Sequence, residues 1–137
     1  MILPVLVFLA AFAGACSSPS GPDRVALDRP FELRVGEAVV VFPDGVRISF
    51  QEVRNDSRCP IDVQCVWAGD AEVVLQVETS PEDREEVTLH TDGSSQTTAD
   101  VLGHRIELRR LMPENKAGVP IDPKAYVATL LVARLER

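Results

Sequence analysis

Apolar and polar side chains alternate along much of the chain after residue 30. In residues 46–51, for example, Val46, Ile48 and Phe50 alternate with polar residues. A period of two is typical of β-strands with one buried face. Similar stretches recur between short polar turns, and they predict strands at residues 31–35, 38–42, 46–53, 71–78, 87–91, 104–111 and 125–135. The pattern predicts an all-β fold, an antiparallel β-sandwich (immunoglobulin-like or a partly open barrel) of about seven strands.

Two of these segments depart from simple alternation. The phase slips by one residue at Glu52 and Val53, which predicts a β-bulge or the end of the strand. Residues 125–135 are apolar on both faces, as expected for a central strand or a buried helix. The β-branched residues Val127, Thr129 and Val132 favour the strand.

The first fifteen residues differ in composition from the rest of the chain. Residues 1–15 are mostly apolar and carry no charged side chain. They are too short for a transmembrane helix of about 20 residues, but they fit the apolar region of a secretion signal. The basic residues that usually begin such a signal are missing. One explanation is that translation starts at a residue other than Met1. Residues 16–29 begin with Ser, Pro and Gly and are predicted to be a flexible tether, and residues 30–137 form the predicted domain.

The apolar segment ends in Ala13, Gly14, Ala15 and Cys16. This arrangement resembles the lipobox of bacterial lipoproteins, in which small residues precede a cysteine. The resemblance implies that the Cys16 thiol carries a diacylglyceryl group and that the signal is cleaved just before it. Ser17 follows, not Asp, which by resemblance to lipoprotein sorting in some Gram-negative bacteria implies an outer-membrane lipoprotein facing the periplasm or the cell surface. The alternative is an ordinary signal cleaved near Ala15, leaving a free thiol.

The three cysteines of the chain form an odd number that needs explaining in an exported protein. If Cys16 carries lipid, Cys59 and Cys65 remain as a disulfide pair, which an oxidising compartment would preserve. Five residues separate Cys59 from Cys65, whereas a thioredoxin-type redox pair has two. No second Cys or His pair completes a zinc site. The bond is therefore predicted to be a structural staple on a long loop.

Three residues near the two cysteines are candidates for a contact surface. Trp67 is the only tryptophan, and it either packs over the disulfide and the core or is exposed as a contact residue. Asp56 is expected to cap backbone amides. Arg58 is expected to form a fork, that is, two parallel hydrogen bonds, to a carboxylate such as Asp62 or Asp70. Asp56, Arg58 and Trp67 make up the candidate contact surface.

The same loop carries a recognisable pattern of residues. It consists of Asp56-Ser57-Arg58-Cys59-Pro60 followed by Val63, Cys65, Trp67 and Gly69. This pattern resembles a recurrent signature of small, uncharacterised exported bacterial proteins and lipoproteins. The resemblance covers about residues 31–77 and implies an exported β-domain with a disulfide loop. It implies no activity.

Charge and motif content narrow the function further. The net charge of −7 makes a nucleic-acid partner a poor expectation, because the protein would repel phosphates. The sequence shows no nucleophile motif, glycine-rich phosphate loop or calcium loop, so no cofactor or metal is expected. The histidines, His90 and His104, are predicted to face opposite sides of their strands, which argues against a shared metal.

These observations favour a non-enzymatic, membrane-anchored β-sandwich with a binding or structural role. Its expected partners are the membrane, through the N-terminal lipid, and an unknown envelope protein or small ligand. One alternative is an envelope hydrolase that uses carboxylates such as Asp56, Asp62 or Asp70. The other alternative is a periplasmic metal-binding protein that uses His90 or His104.

Overall fold

The described part of the chain folds as a β-sandwich. A computed structural model describes residues 23–93 and 96–136, and these residues form nine strands and no helix. The strands are β1 (Asp23–Ala26), β2 (Phe31–Arg34), β3 (Ala38–Phe42), β4 (Val46–Arg54), β5 (Glu72–Glu78), β6 (Arg84–His90), β7 (Thr98–Val101), β8 (His104–Met112) and β9 (Val127–Arg134). The predicted all-β sandwich is confirmed. Among the described residues, no helix has the length and apolar character needed to cross a bilayer.

The nine described strands form two sheets. Sheet A has the order β1-β3-β4-β5-β6, and sheet B has the order β2-β9-β8-β7. Neighbouring strands are antiparallel except for β1, which runs parallel to β3 with Asp23 opposite Val39. Strand β1 lies inside residues 16–29, the range predicted to be a tether, so the sandwich includes part of that range. The predicted signal and Cys16 lie outside the described residues.

All seven predicted strands are present, and the structure adds two more. The phase slip in β4 is a β-bulge, because the pairing with β5 shifts between Phe50 and Glu52. The ambiguous C-terminal segment is strand β9, as its β-branched residues indicate. The strands not predicted, β1 (DRVA) and β7 (TADV), each have only a valine and an alanine as apolar residues, so neither shows a clear alternation.

The buried faces of both sheets meet in one hydrophobic core. Phe50 is its largest fully buried side chain, and aliphatic residues supply nearly all the rest. Complete burial of one such side chain contributes about 1.5–3 kcal/mol. The largest members that are less than 2% exposed are Phe50, Leu33, Ile48, Leu75, Leu89, Ile106 and Leu130.

The two ends of the sandwich differ in character. At one end, here called the turn end, a tight turn joins β3 to β4. At the other, here called the loop end, residues 55–71 join β4 to β5, and residues 113–126 join β8 to β9. A network of polar side chains connects sheet A to sheet B at each end.

The turn-end network is centred on Asp44. Oδ2 of Asp44 lies 2.8 Å from Nε2 of His104 on β8 and accepts a hydrogen bond of 3.0 Å from Nε of Arg134 on β9. Nη2 of Arg134 donates to the other carboxylate oxygen. His104 is only 7% exposed and faces the core side of β8, as the alternation predicts. The turn of sheet A is thereby fixed to two strands of sheet B.

The ionisation of Asp44 is expected to contribute to acid lability. Hydrogen bonds from Arg134 and then His104 lower the pKa of Asp44 from 3.8 to about 2. A lowered pKa stabilises the fold above pH 3.8, and this contribution disappears as the pH falls toward 2. The free-energy difference between the wild type and Asp44→Asn should therefore shrink across this window, as measured by urea unfolding at several pH values. A difference that stays constant across the window would contradict this role.

Candidate functional site

The loop over residues 55–70 is a closed hairpin at the end of sheet A. Its two halves pair through their backbones, since the Ser57 amide donates to the Asp70 carbonyl at 2.6 Å and the Cys59 amide donates to the Ala68 carbonyl at 2.7 Å. The predicted disulfide is present between Cys59 and Cys65, whose Cα atoms are 6.0 Å apart. The bond closes the outer part of the hairpin into a small ring.

Gly69 lies directly against the backbone of the opposite half of the hairpin. This residue has a φ of +70°, a conformation that L side chains rarely adopt. A Cβ atom at this position would lie 1.8 Å from the carbonyl oxygen of Ser57. The hairpin can therefore close only with glycine at position 69, which gives a structural reason for the last residue of the sequence pattern.

A polar network at the base of the hairpin holds the loop in place. We call it the Asp56 clamp, and it consists of Asp56, Arg58, Asn115 and Tyr126. Oδ1 of Asp56 accepts hydrogen bonds from Nε of Arg58 at 2.8 Å and Nδ2 of Asn115 at 3.1 Å. Oδ2 accepts from Nη2 of Arg58 at 2.7 Å and from the Tyr126 hydroxyl at 2.8 Å. The side chains of Asp56 and Arg58 are only 11% and 14% exposed.

The clamp also joins the hairpin to sheet B. Nη1 of Arg58 donates to the carbonyl of Leu111 on β8 at 2.8 Å, and Nη2 donates to the carbonyl of Pro113 at 2.9 Å. Nδ2 of Asn115 donates to the Arg58 carbonyl at 3.0 Å, and the Asn115 carbonyl accepts from the Ile61 amide at 3.0 Å. The hairpin is thus fastened across the end of the sandwich.

The predicted partners of Arg58 are wrong. Its fork goes to Asp56, because residues two apart in an extended segment project to the same side. Oδ1 of Asp62 accepts from the backbone amide of Ala117 at 2.9 Å. Oδ2 of Asp70 lies 2.5 Å from Nδ1 of His90.

Asp70 anchors the other end of the hairpin to the end of β6. Besides His90, its carboxylate accepts hydrogen bonds from the backbone amides of Thr91 and Asp92, both at 2.9 Å. Burial raises the pKa of Asp70, but the hydrogen bonds from His90 and the Asp92 amide outweigh that effect and keep the pKa low. Asp70 therefore acts as an ionised acceptor inside the fold.

The clamp also shifts the ionisation of its members. Burial raises the pKa of Asp56, but the hydrogen bonds from Arg58 and Tyr126 outweigh burial and lower it below 3.8. Burial, and then the bond to the Asp56 carboxylate, raise the pKa of Tyr126 to about 12. The clamp is thus built to hold a charged carboxylate beside a neutral phenol.

Tyr126 is the only tyrosine, so its ionisation can be followed directly. We expect phenolate absorbance to appear with a midpoint near 12 in the wild type, and closer to 10 in Asp56→Asn. Because the folded-state pKa is the higher one, the associated stability is present below pH 10 and is lost as the pH rises toward 12. Circular dichroism on the same samples separates ionisation from alkaline unfolding. Equal midpoints in both proteins would contradict the clamp geometry.

The outer part of the hairpin is apolar and exposed. We call residues 61–67 the loop tip. Val66 and Trp67 are 91% and 80% exposed, and Ile61 and Val63 are exposed as well. Trp67 therefore does not pack into the core. The single charged residue of the tip is Asp62, whose carboxylate caps Ala117.

The structure separates the three residues of the predicted contact surface. Trp67 lies in solvent, whereas Asp56 and Arg58 are mostly buried in the clamp. Asp56 and Arg58 are therefore corrected to residues that position the loop, and the candidate surface is the loop tip.

Two clefts flank the hairpin. One, of about 340 Å³, is bordered by Ile61, Arg109, Arg110 and Glu114, among other residues. Both arginines have carboxylate neighbours: Arg109 lies 2.9 Å from Glu107, and Arg110 lies 4.0 Å from Glu114. The second cleft, of about 460 Å³, lies between Pro60 and residues 115–121.

The histidines lie far apart in the topology. His90 contacts Asp70 at the loop end of sheet A, and His104 contacts Asp44 at the turn end of sheet B. Within residues 23–93 and 96–136, no group of three His, Cys, Asp or Glu side chains is arranged to hold a metal ion.

Two members of the clamp, Asn115 and Tyr126, could not be predicted from the sequence. Asn115 lies in a loop rich in Pro and Gly, and nothing near it in the sequence marks it as a partner of Asp56. Tyr126 is the only tyrosine and directly precedes β9, which is the one signal that could have drawn attention to it.

Comparison with protein-family models, curated proteins and solved structures finds no match to this chain.

Proposed function

We propose that this protein is a lipid-anchored binding domain of a bacterial cell envelope, and that the loop tip is its contact surface. The observation that carries the proposal is the exposure of Val66 and Trp67 on a loop that is otherwise firmly held. Exposed apolar side chains clustered at one site are typical of contact surfaces, and tryptophan is enriched among residues that dominate binding.

The rigidity of the loop supports a binding role. The disulfide, the hairpin pairing and the Asp56 clamp fix the backbone that carries the tip. A preorganised loop loses little conformational entropy when it binds, so more of its contact energy appears as affinity.

The proposed location rests on the N-terminal residues and on the disulfide. The lipobox-like residues 13–16 support acylation of Cys16 and attachment to the outer membrane, with the following residues as a tether. A disulfide between Cys59 and Cys65 persists in an oxidising compartment, which fits an exported protein.

The three carboxylates that the hydrolase alternative would use are already hydrogen-bonded within the fold, which favours a binding role. Asp56 is held by the clamp, Asp62 caps a backbone amide, and Asp70 is bonded to His90 and to backbone amides. Each has a structural partner in the fold. The metal-carrier alternative is disfavoured because the two histidines lie at opposite ends of the sandwich, and both ring nitrogens of His104 are engaged, Nδ1 with the Leu102 carbonyl and Nε2 with Asp44.

Photocrosslinking in living cells tests the proposed contact surface. A diazirine amino acid at position 66 should form adducts with another envelope molecule, whereas the same amino acid at position 42 should not. Phe42 is the matched control because it is an exposed apolar residue at the turn end. Adducts from position 42 alone, or from neither position, would refute the contact surface.

Intact-mass measurement of the same protein tests the location. We expect acyl chains on Cys16, loss of residues 1–15, and a mass that shows Cys59 and Cys65 to be oxidised. A full-length, water-soluble protein with three reactive thiols would overturn the proposed anchor.

A further inference from the structure

We infer that the loop tip binds the lipid–water interface of the same membrane that holds Cys16. This inference rests on the proposed function and names the partner of its contact surface. The direction of β1, the length of chain between Cys16 and Asp23, and the composition of the tip carry it.

Strand β1 runs in the direction from the loop end toward the turn end. β1 is parallel to β3, and β3 is antiparallel to β4, so the start of β1 and the end of β4 point the same way. The end of β4 leads directly into the hairpin. Strand β1 therefore points away from the end of the sandwich that carries the loop tip.

The connecting segment is long enough to bring this end to the membrane. Asp23 is opposite Val39, which is opposite Ile48, and Ile48 lies six residues before the end of β4 at Arg54. Six residues of strand span about 20 Å. The six residues between Cys16 and Asp23 allow a reach of at most about 25 Å. Within this reach, an anchor at Cys16 can lie level with the end of β4, where the hairpin begins.

The composition of the loop tip suits a lipid interface. Tryptophan is enriched where membranes meet water, because its ring is apolar and its indole N–H can still bond to polar groups. Val66 adds an apolar neighbour, and the one charged side chain of the tip, Asp62, is bonded to the Ala117 amide. The molecule has a net charge of −7, so attraction to anionic lipids does not drive the contact.

Tethering makes a weak contact sufficient. A site held by a short linker experiences an effective concentration of its partner on the order of millimolar. The lipid on Cys16 supplies the attachment, and the tip then fixes how the domain sits on the surface. We expect this contact to form on zwitterionic lipids and to be insensitive to salt.

The fluorescence of Trp67 tests the inference directly, because it is the only tryptophan. Mature acylated protein beginning at Cys16, verified by intact mass, is reconstituted into phosphatidylcholine vesicles with and without brominated acyl chains. We expect Trp67 emission to shift to shorter wavelengths, to be quenched by the brominated lipid and to be shielded from aqueous iodide.

A charged residue at the loop tip should release the tip from the membrane, and Trp67 remains present as the fluorophore. Val66→Asp should lower the fraction of molecules whose loop tip contacts the lipid about tenfold. Phe42→Asp introduces the same charge at an exposed apolar position of the turn end and should leave the quenching unchanged. Thermal unfolding of both variants shows whether the fold is retained.

The outcomes separate this inference from the proposed function. An acylated protein whose Trp67 stays open to iodide and unquenched by brominated lipid overturns membrane contact; adducts from position 66 would then identify a protein partner and leave the proposed function standing. A protein without acyl groups on Cys16 overturns the anchor and this inference together.

Discussion

Gly69→Ala should be the most damaging single substitution in the loop, with a loss of about 4 kcal/mol or more in the free energy of unfolding. The new Cβ would lie 1.8 Å from the Ser57 carbonyl oxygen, so the two halves of the hairpin must separate. Their separation breaks the backbone bonds that join Ser57 to Asp70 and Cys59 to Ala68. Urea unfolding followed by circular dichroism gives the loss.

Gly45→Ala is the matched control for this substitution. Gly45 also has a positive φ, at +75°, but a Cβ there meets no atom within 4 Å. It should cost only the backbone strain, about 1–2 kcal/mol. The difference between the two variants measures the steric contact at Gly69, and equal losses would contradict the close approach of the backbones.

Arg58→Met should have the second-largest effect, a loss of about 3 kcal/mol. Methionine retains the apolar stem but leaves the mostly buried Asp56 carboxylate without its cation. The carbonyls of Leu111 and Pro113 lose a donor as well. Urea unfolding again measures the loss, and adding Asp56→Asn to this variant should restore part of it, because no uncompensated charge remains.

An exposed pair of the same shape serves as the control. Arg105 forms an equivalent fork to Asp100, with bonds of 2.7 and 2.8 Å, but both side chains are half-exposed. Arg105→Met should change stability little, since exposed ion pairs contribute little. If Arg105→Met proved as harmful as Arg58→Met, burial of the clamp would not be the source of its strength.

The sequence predicts the strands well because the alternation that identifies each strand lies within the strand itself. Alternation such as that of Val46, Ile48 and Phe50 identifies a strand and its buried face without reference to the rest of the chain. The bulge after Phe50 is predictable for the same reason. Strands β1 and β7 could not be predicted because each has only a valine and an alanine as apolar residues, so their positions depend on pairing with neighbouring strands.

The site is only partly predictable because its contacts are distant in sequence. Asp56 bonds to Tyr126, which is 70 residues away, and no local pattern connects them. The disulfide could be predicted, since counting cysteines leaves one pair. The exposure of Trp67 could not, because a tryptophan beside a disulfide suits a packed and an exposed position equally well.

The short first strand has a consequence for the stability of the protein in solution. Strand β3 has the sequence AVVVF, an uncharged β-branched run that can template pairing with other chains when its backbone is free. β1 occupies that backbone over four residue pairs. A chain shortened to begin at Pro30 would leave β3 uncovered, and we expect it to aggregate, with light scattering as the measurement. The four-residue stretch DRVA, which carries one acidic and one basic side chain, thus caps β3 and prevents other copies of the chain from pairing with it.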